Sequence, residues 1–160
     1  MKPIDLTTTN YLEMQELLAN ESDRGAAVLA GSYVENFLGV YLKSKMIDKS
    51  LTDKIFSSGG SLSTFAQRIN FSQAFGFLSK EQCADLHLIR EIRNHFAHNP
   101  KDASFKENKV REWIQNLHSF KTEIPMNGGG VFKVDDGRSC YLISAGMFVA
   151  ITSIAMERAR

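Results

Sequence analysis

The chain has 160 residues, of which 43% are apolar and 23% charged, enough for one globular domain with a sizeable core. With 19 Lys and Arg against 18 Asp and Glu, its formal charge is +1, which excludes the whole-surface basic footprint of a non-specific nucleic-acid binder. Cys83 and Cys140 have neither Cys-x-x-Cys nor Cys/His spacing, so no zinc site, disulfide framework or metal cofactor is expected.

The start, Met1-Lys2-Pro3-Ile4-Asp5, has no hydrophobic signal segment. The longest apolar-rich run, Tyr141 to Met156, is broken by Ser144, Gly146, Thr152 and Ser153 and falls short of the ~20 residues needed to span a bilayer. The expectation is a cytoplasmic protein without membrane contact. Residues 1–20 read as a lead-in ending in a short amphipathic helix, about Asn10 to Ala19. Residues 21–160 read as a single helical domain.

Ser22 or Asp23 can cap a long helix to about Ile47, its Ala27, Val34, Leu38 and Leu42 on one side and Tyr33, Phe37, Val40 and Tyr41 widening the apolar surface. So wide a stripe implies contact with more than one neighbour, inside the monomer or across a dimer. A turn and short helix over 48–56 and a glycine-serine loop follow. Ser61 then starts a helix to Phe75, with Gly76 as its C-terminal cap. Ser79 and Gln82 form a capping box before an apolar run. Lys109 to Lys121 makes a further helix with Val110, Trp113, Ile114 and Leu117 inward. Val131–Val134 and Ser139–Leu142 read as a small hairpin around Asp136-Gly137, before a last helix from about Ser144 to Arg158. The fold class expected is all-α, a helical bundle with a small C-terminal β-hairpin at about 131–142.

The helix opened by Ser79 organises the chain. At 100° per residue, Ile89, Ile92 and Phe96 share one narrow sector, and the opposite sector collects His87, Glu91, Asn94 and His98. Arg93 lies on the flank. Asn99-Pro100 ends the helix, so His98 stands at a helix terminus.

Three segments carry a resemblance: Glu21-Ser22-Asp23-Arg24-Gly25, the run from Gly59 to Ile69 with Phe75-Gly76-Phe77-Leu78-Ser79 after it, and Leu88 to His98. Over roughly residues 21–120 the chain resembles the mannitol operon repressor family. That family is in turn similar to the HEPN superfamily of α-helical domains, whose signature is Arg, a polar residue, three more residues and His. Here it reads Arg93-Asn94-His95-Phe96-Ala97-His98. The HEPN resemblance implies a metal-independent endoribonuclease, toxin-like or acting as an RNA-level regulator, whose site is shared across a homodimer. The mannitol-repressor resemblance implies transcriptional regulation. No predicted helix gathers the basic residues a DNA-reading module needs.

Cleaving RNA through its 2′-hydroxyl requires a proton acceptor, a proton donor and a cation at the phosphate. Histidine, with a pKa near neutrality, fills either proton role, and arginine offers phosphate a permanent charge and a fork of donors. The candidate catalytic residues are therefore Arg93, Asn94 and His98. The candidate substrate-binding residues are Arg90, Glu91, His87 and Lys101, with Lys106 extending the basic patch. Five residues span about 140° around a helix, so Arg93 and His98 converge only across a dimer or if the helix loosens at Ala97. Against this stands a structural reading, in which Arg93 pairs with Asp85, Asp23 or Glu35, His98 caps the helix end, and His87 and His95 are structural or surface residues. Two functions follow: the endoribonuclease, with RNA and an antitoxin or regulatory protein as partners, or a non-catalytic regulator working through a protein partner.

Overall fold

The computed structural model describes residues 11–119, 123–125, 131–134 and 136–158. Among them are seven helices and two short strands. The helices are α1 (Tyr11–Ala19), α2 (Asp23–Ser44), α3 (Lys49–Phe56), α4 (Phe65–Ala74), α5 (Lys80–His98), α6 (Asn108–Gln115) and α7 (Gly137–Glu157). The strands are β1 (Glu123–Pro125) and β2 (Val131–Lys133). The all-helical reading of the bundle holds.

The helix starts follow capping chemistry. The Ser22 hydroxyl accepts from Gly25 N at 3.0 Å and opens α2. Ser79 and Gln82 close the expected box at α5. The predicted start at Ser61 moves to Phe65, because Thr64 and Gln67 form a second capping box there. Gly76 takes φ +69° and ends α4 in a Schellman motif, in which Phe77 N donates to Ser72 O and Gly76 N to Gln73 O.

α2 is the hub, packed against α5 and α7 and, less extensively, α1 and α4. Small residues on it (Ala26, Ala27, Ala30, Gly31) are buried beside Val34, Leu38 and Leu42, letting neighbours approach on two sides. Of the residues that widen the stripe, Tyr33 and Tyr41 are buried inside the monomer, while Phe37 and Val40 are half-buried. α5 buries Cys83, Leu86, Ile89, Ile92 and Phe96 at helical spacing. A chain of rings, Phe96 to Phe105 at 4.7 Å and Phe105 to Tyr141 at 5.7 Å, ties α5 to α7. The Tyr141 hydroxyl donates to Ala27 O at 2.9 Å, so its full burial leaves no unmet donor.

The C-terminal hairpin is corrected. β2 pairs antiparallel with β1, Ile124 opposite Phe132, and Gly137 to Leu142 belong to α7. Asp-Gly serves turns and helix starts alike, and the second use wins here: Asp136 is the N-cap, accepting from Ser139 N at 2.9 Å and Ser139 Oγ at 2.7 Å. The stretch Tyr141–Met156 therefore extends backwards into a 21-residue helix, long and apolar enough to cross a membrane by length and composition. One face of it (Tyr141, Ser144, Ala145, Phe148, Val149, Thr152) is buried in the bundle, while Met147, Ile151 and Ile154 are exposed.

Candidate functional site

α5 runs unbroken to His98, with Asn99 N still donating to His95 O at 3.0 Å. The helix does not loosen at Ala97, so Arg93 and His98 keep the angular separation of a regular helix and one chain does not bring them onto a common face. They enter different environments.

Arg93 faces α2. Its Nη2 donates to Glu35 Oε2 at 2.6 Å, both side chains about a fifth exposed, and its guanidinium lies 5.8 Å from the centre of the Phe65 ring. The aliphatic stem packs on Gly31, where a Cβ would come within 2.6 Å of both Arg93 Cβ and Cγ. Of the three acidic partners expected for Arg93, Glu35 is the one used. Asp85 accepts from His118 N and Ser119 N, each at 2.6 Å, and Asp23 pairs with Arg138 at 3.0 Å. Arg68, which the sequence reading passed over, supports the pair from behind: its Nη1 donates to Glu35 O at 3.1 Å and its Nε to Leu62 O at 2.9 Å. The sequence reading placed this cap at Ser61, and the Thr64 cap that sets the direction of Arg68 emerges in the structure.

The other face of α5 carries His87, Glu91, Asn94 and His98. Arg90 and Glu91 form an ion pair with each other, and Arg90 Nε is buried without a hydrogen-bond partner among the described residues. Half-buried His87 is held below its ordinary pKa by desolvation and by the Arg90 charge, with Glu91 opposing. It therefore stays neutral near pH 7. Asn94 is half-buried and His98 exposed, and neither side chain has a hydrogen bond or ion pair among the described residues. His95 is built into the structure. Its Nε2 meets Glu107 Oε2 at 3.1 Å, its ring stands edge-on to Trp113 at 5.7 Å, and Asn99 Nδ2 donates to its carbonyl at 2.9 Å. The Ser104 amide, before His95 itself, draws the Glu107 carboxyl below the usual range.

Arg24, at the start of α2, is the second residue the sequence reading missed as a site group. Its Nε donates to Phe96 O at 3.3 Å, placing a cation at the negative end of the α5 dipole, two residues from His98. Lys101 and Lys106 are exposed and their ammonium groups have no partner among the described residues. The end of α5 is thus a surface of unpaired polar and basic groups (Asn94, His98, Lys101, with Arg24 alongside) above a structural arginine. No group of three or more His, Cys, Asp or Glu that would hold a metal ion occurs among the described residues.

A sequence model of the MtlR family, described as mannitol repressor, matches residues 26–157. No curated protein sequence matches. Among solved structures, the chain is similar to a possible transcriptional regulator, YggD, from Shigella flexneri 2a str. 2457T. That likeness covers 91% of this chain and 95% of the other, with a TM-score of 0.66 at 14% identity, and shows a shared fold. Because the family match takes in most of the chain, α2 to α7 with the whole of α5, the protein belongs to the MtlR, or mannitol repressor, family.

Proposed function

We propose that this protein is a non-catalytic transcriptional regulator that acts through a protein partner. The observation that carries this reading is the engagement of Arg93. The cation that RNA cleavage would need at the phosphate is bonded to Glu35 and packed against Gly31, whereas the unpaired groups lie at the exposed end of α5. A paired arginine holds α2 to α5; an exposed, unpartnered His98 with Asn94 one turn before it suits a partner surface. Family membership and the fold shared with a possible transcriptional regulator point the same way. Direct DNA reading is disfavoured by the spread of basic residues, since no helix carries more than three and those of α5 are divided between ion pairs and its first turn.

The test pairs two assays. In cells, a reporter behind the mannitol operon promoter is derepressed on deletion of this chain, restored by wild type and not by Asn94→Ala/His98→Ala. In vitro, purified wild type leaves an RNA pool in EDTA intact and does not retard promoter DNA by itself. Cleavage by wild type to cyclic phosphate ends, lost in His98→Ala, would replace this reading with the endoribonuclease.

A further inference from the structure

Between α1, α2 and α7 lies a hollow of about 570 Å³, within the span of small-molecule sites, about 300–1,000 Å³. Its floor is core: Met14 and Leu18 of α1, Ala30 and Tyr33 of α2 and Ala145 of α7 line it, and each is less than a tenth exposed. Leu142 and Ile143 form a half-buried wall, and the exposed residues Gln15, Ala19 and Asp136 mark the mouth. Protein interiors are close-packed, so apolar residues around a hollow of this size leave room for an apolar guest rather than for ordered water, which needs several polar partners.

The mouth carries a formal charge. Asp136 is the single formally charged residue among the described lining groups, and it stays ionised because Ser139 Oγ donates to it and the first amides of α7 add to the effect. The nearby Arg138, whose charge adds to the effect on Asp136, has its guanidinium bonded to Asp23, Leu18 O and Glu21 O. We propose that this hollow binds a small apolar molecule whose polar end is neutral or cationic. Such a guest would sit under α1, a nine-residue helix held to the bundle through Met14 and Leu18, and would fasten it to α2 and α7. The inference does not depend on the regulator reading, because the site lies on the α7 side of α2 and uses no residue of α5.

The test uses two fluorescent probes with one apolar body. N-phenyl-1-naphthylamine is neutral, and 8-anilinonaphthalene-1-sulfonate adds an anion. Wild type is expected to bind the neutral probe about tenfold or more tightly than the sulfonate, the factor that 1.4 kcal/mol of charge repulsion supplies. Filling the hollow with Ala145→Phe, or plugging its mouth from the exposed side with Ala19→Phe, abolishes the gain in emission, while circular dichroism shows both variants folded. Asp136→Asn keeps a good N-cap and narrows the preference between the probes. The proposal is overturned if wild type does not bind the neutral probe, or if both filled variants bind it unchanged. Equal affinity for the two probes overturns it as well. So does emission that fades with rising protein concentration as the mass doubles, which would assign the hollow to a second copy of the chain.

Discussion

Gly31→Ala tests how α2 and α5 are held together. In an exposed helix interior this change is favourable by roughly 0.5–1 kcal/mol, since alanine loses less backbone freedom on folding. Here the new methyl would stand 2.6 Å from Arg93 Cβ and Cγ and 3.0 Å from the Tyr141 hydroxyl. Neither neighbour can retreat freely. The Arg93 carbons are at the root of the side chain and the guanidinium is tied to Glu35, while the tyrosine is fully buried and bonded to Ala27 O. Overpacking of this kind costs about 1–3 kcal/mol, leaving a net loss of up to about 2.5 kcal/mol once the propensity gain is subtracted. For a chain of this size that lowers Tm by up to about 8 °C. The internal control is Gly39→Ala on the same helix, where the nearest atom is Arg68 Nη1 at 3.2 Å, so a neighbour bonded to Glu35 O and Leu62 O has to shift by a few tenths of an ångström and no more. That variant should be less destabilised than Gly31→Ala. Thermal and urea unfolding followed by circular dichroism read both changes. If Gly31→Ala were as stable as Gly39→Ala, the close approach of α2 and α5 would not be what requires glycine at 31.

Glu35→Gln removes the charge facing Arg93 and keeps the shape; with both side chains partly exposed, the expected loss is about 1–2 kcal/mol, read from the urea midpoint. Asn94→Ala and His98→Ala, which break no bond among the described residues, should each stay within about 0.5 kcal/mol of wild type, and a larger loss in either would show that these side chains hold the fold. His87 titrates below its ordinary value of 6.5 when folded, so the unfolded chain binds the proton more readily. Stability is therefore whole above pH 6.5 and falls as the pH drops from there through the lowered folded value. Urea midpoints at pH 7.5 and 5.5 should differ less in His87→Asn than in wild type, and an unchanged difference would remove His87 as the cause.

Much of the fold is legible in the residues because local chemistry and tertiary packing agree. Ser22 and Ser79 cap the helices they precede, Gly76 takes the left-handed turn, and Ile89, Ile92 and Phe96 line the core. The reading fails where two local structures share one signature. Asp136-Gly137 suits a hairpin turn and a helix start equally. What decides is farther along the chain, in Tyr141, Ala145, Phe148 and Val149, which repeat at helical spacing and pull the segment back to Gly137 into α7. Similarly, Ser61 and Thr64 are both competent caps, and the reciprocal bond from Gln67 selects the second.

The site is harder to read because spacing along a helix fixes angle and not environment. Arg93 and His98 form a recognisable pair in the sequence, yet the angle between them turns one toward α2 and leaves the other in solvent. What gives Arg93 its role is 58 positions away, a glutamate on α2 with a glycine one turn before it. Together they form a socket: Gly31 makes room for the stem, Glu35 takes the charge, and Arg68 fixes the glutamate's backbone. No periodicity in α5 discloses that socket, and none in α2 explains why a small residue should stand there. Only the pairing of the two helices does. The same pairing separates what holds the bundle from what it displays, since the side-chain ion pair of Arg93 runs inward and the His98 side chain makes no bond among the described residues. In this chain the Arg-x4-His pattern runs along an unbroken helix, with Arg93 paired toward α2 and His98 exposed at its end.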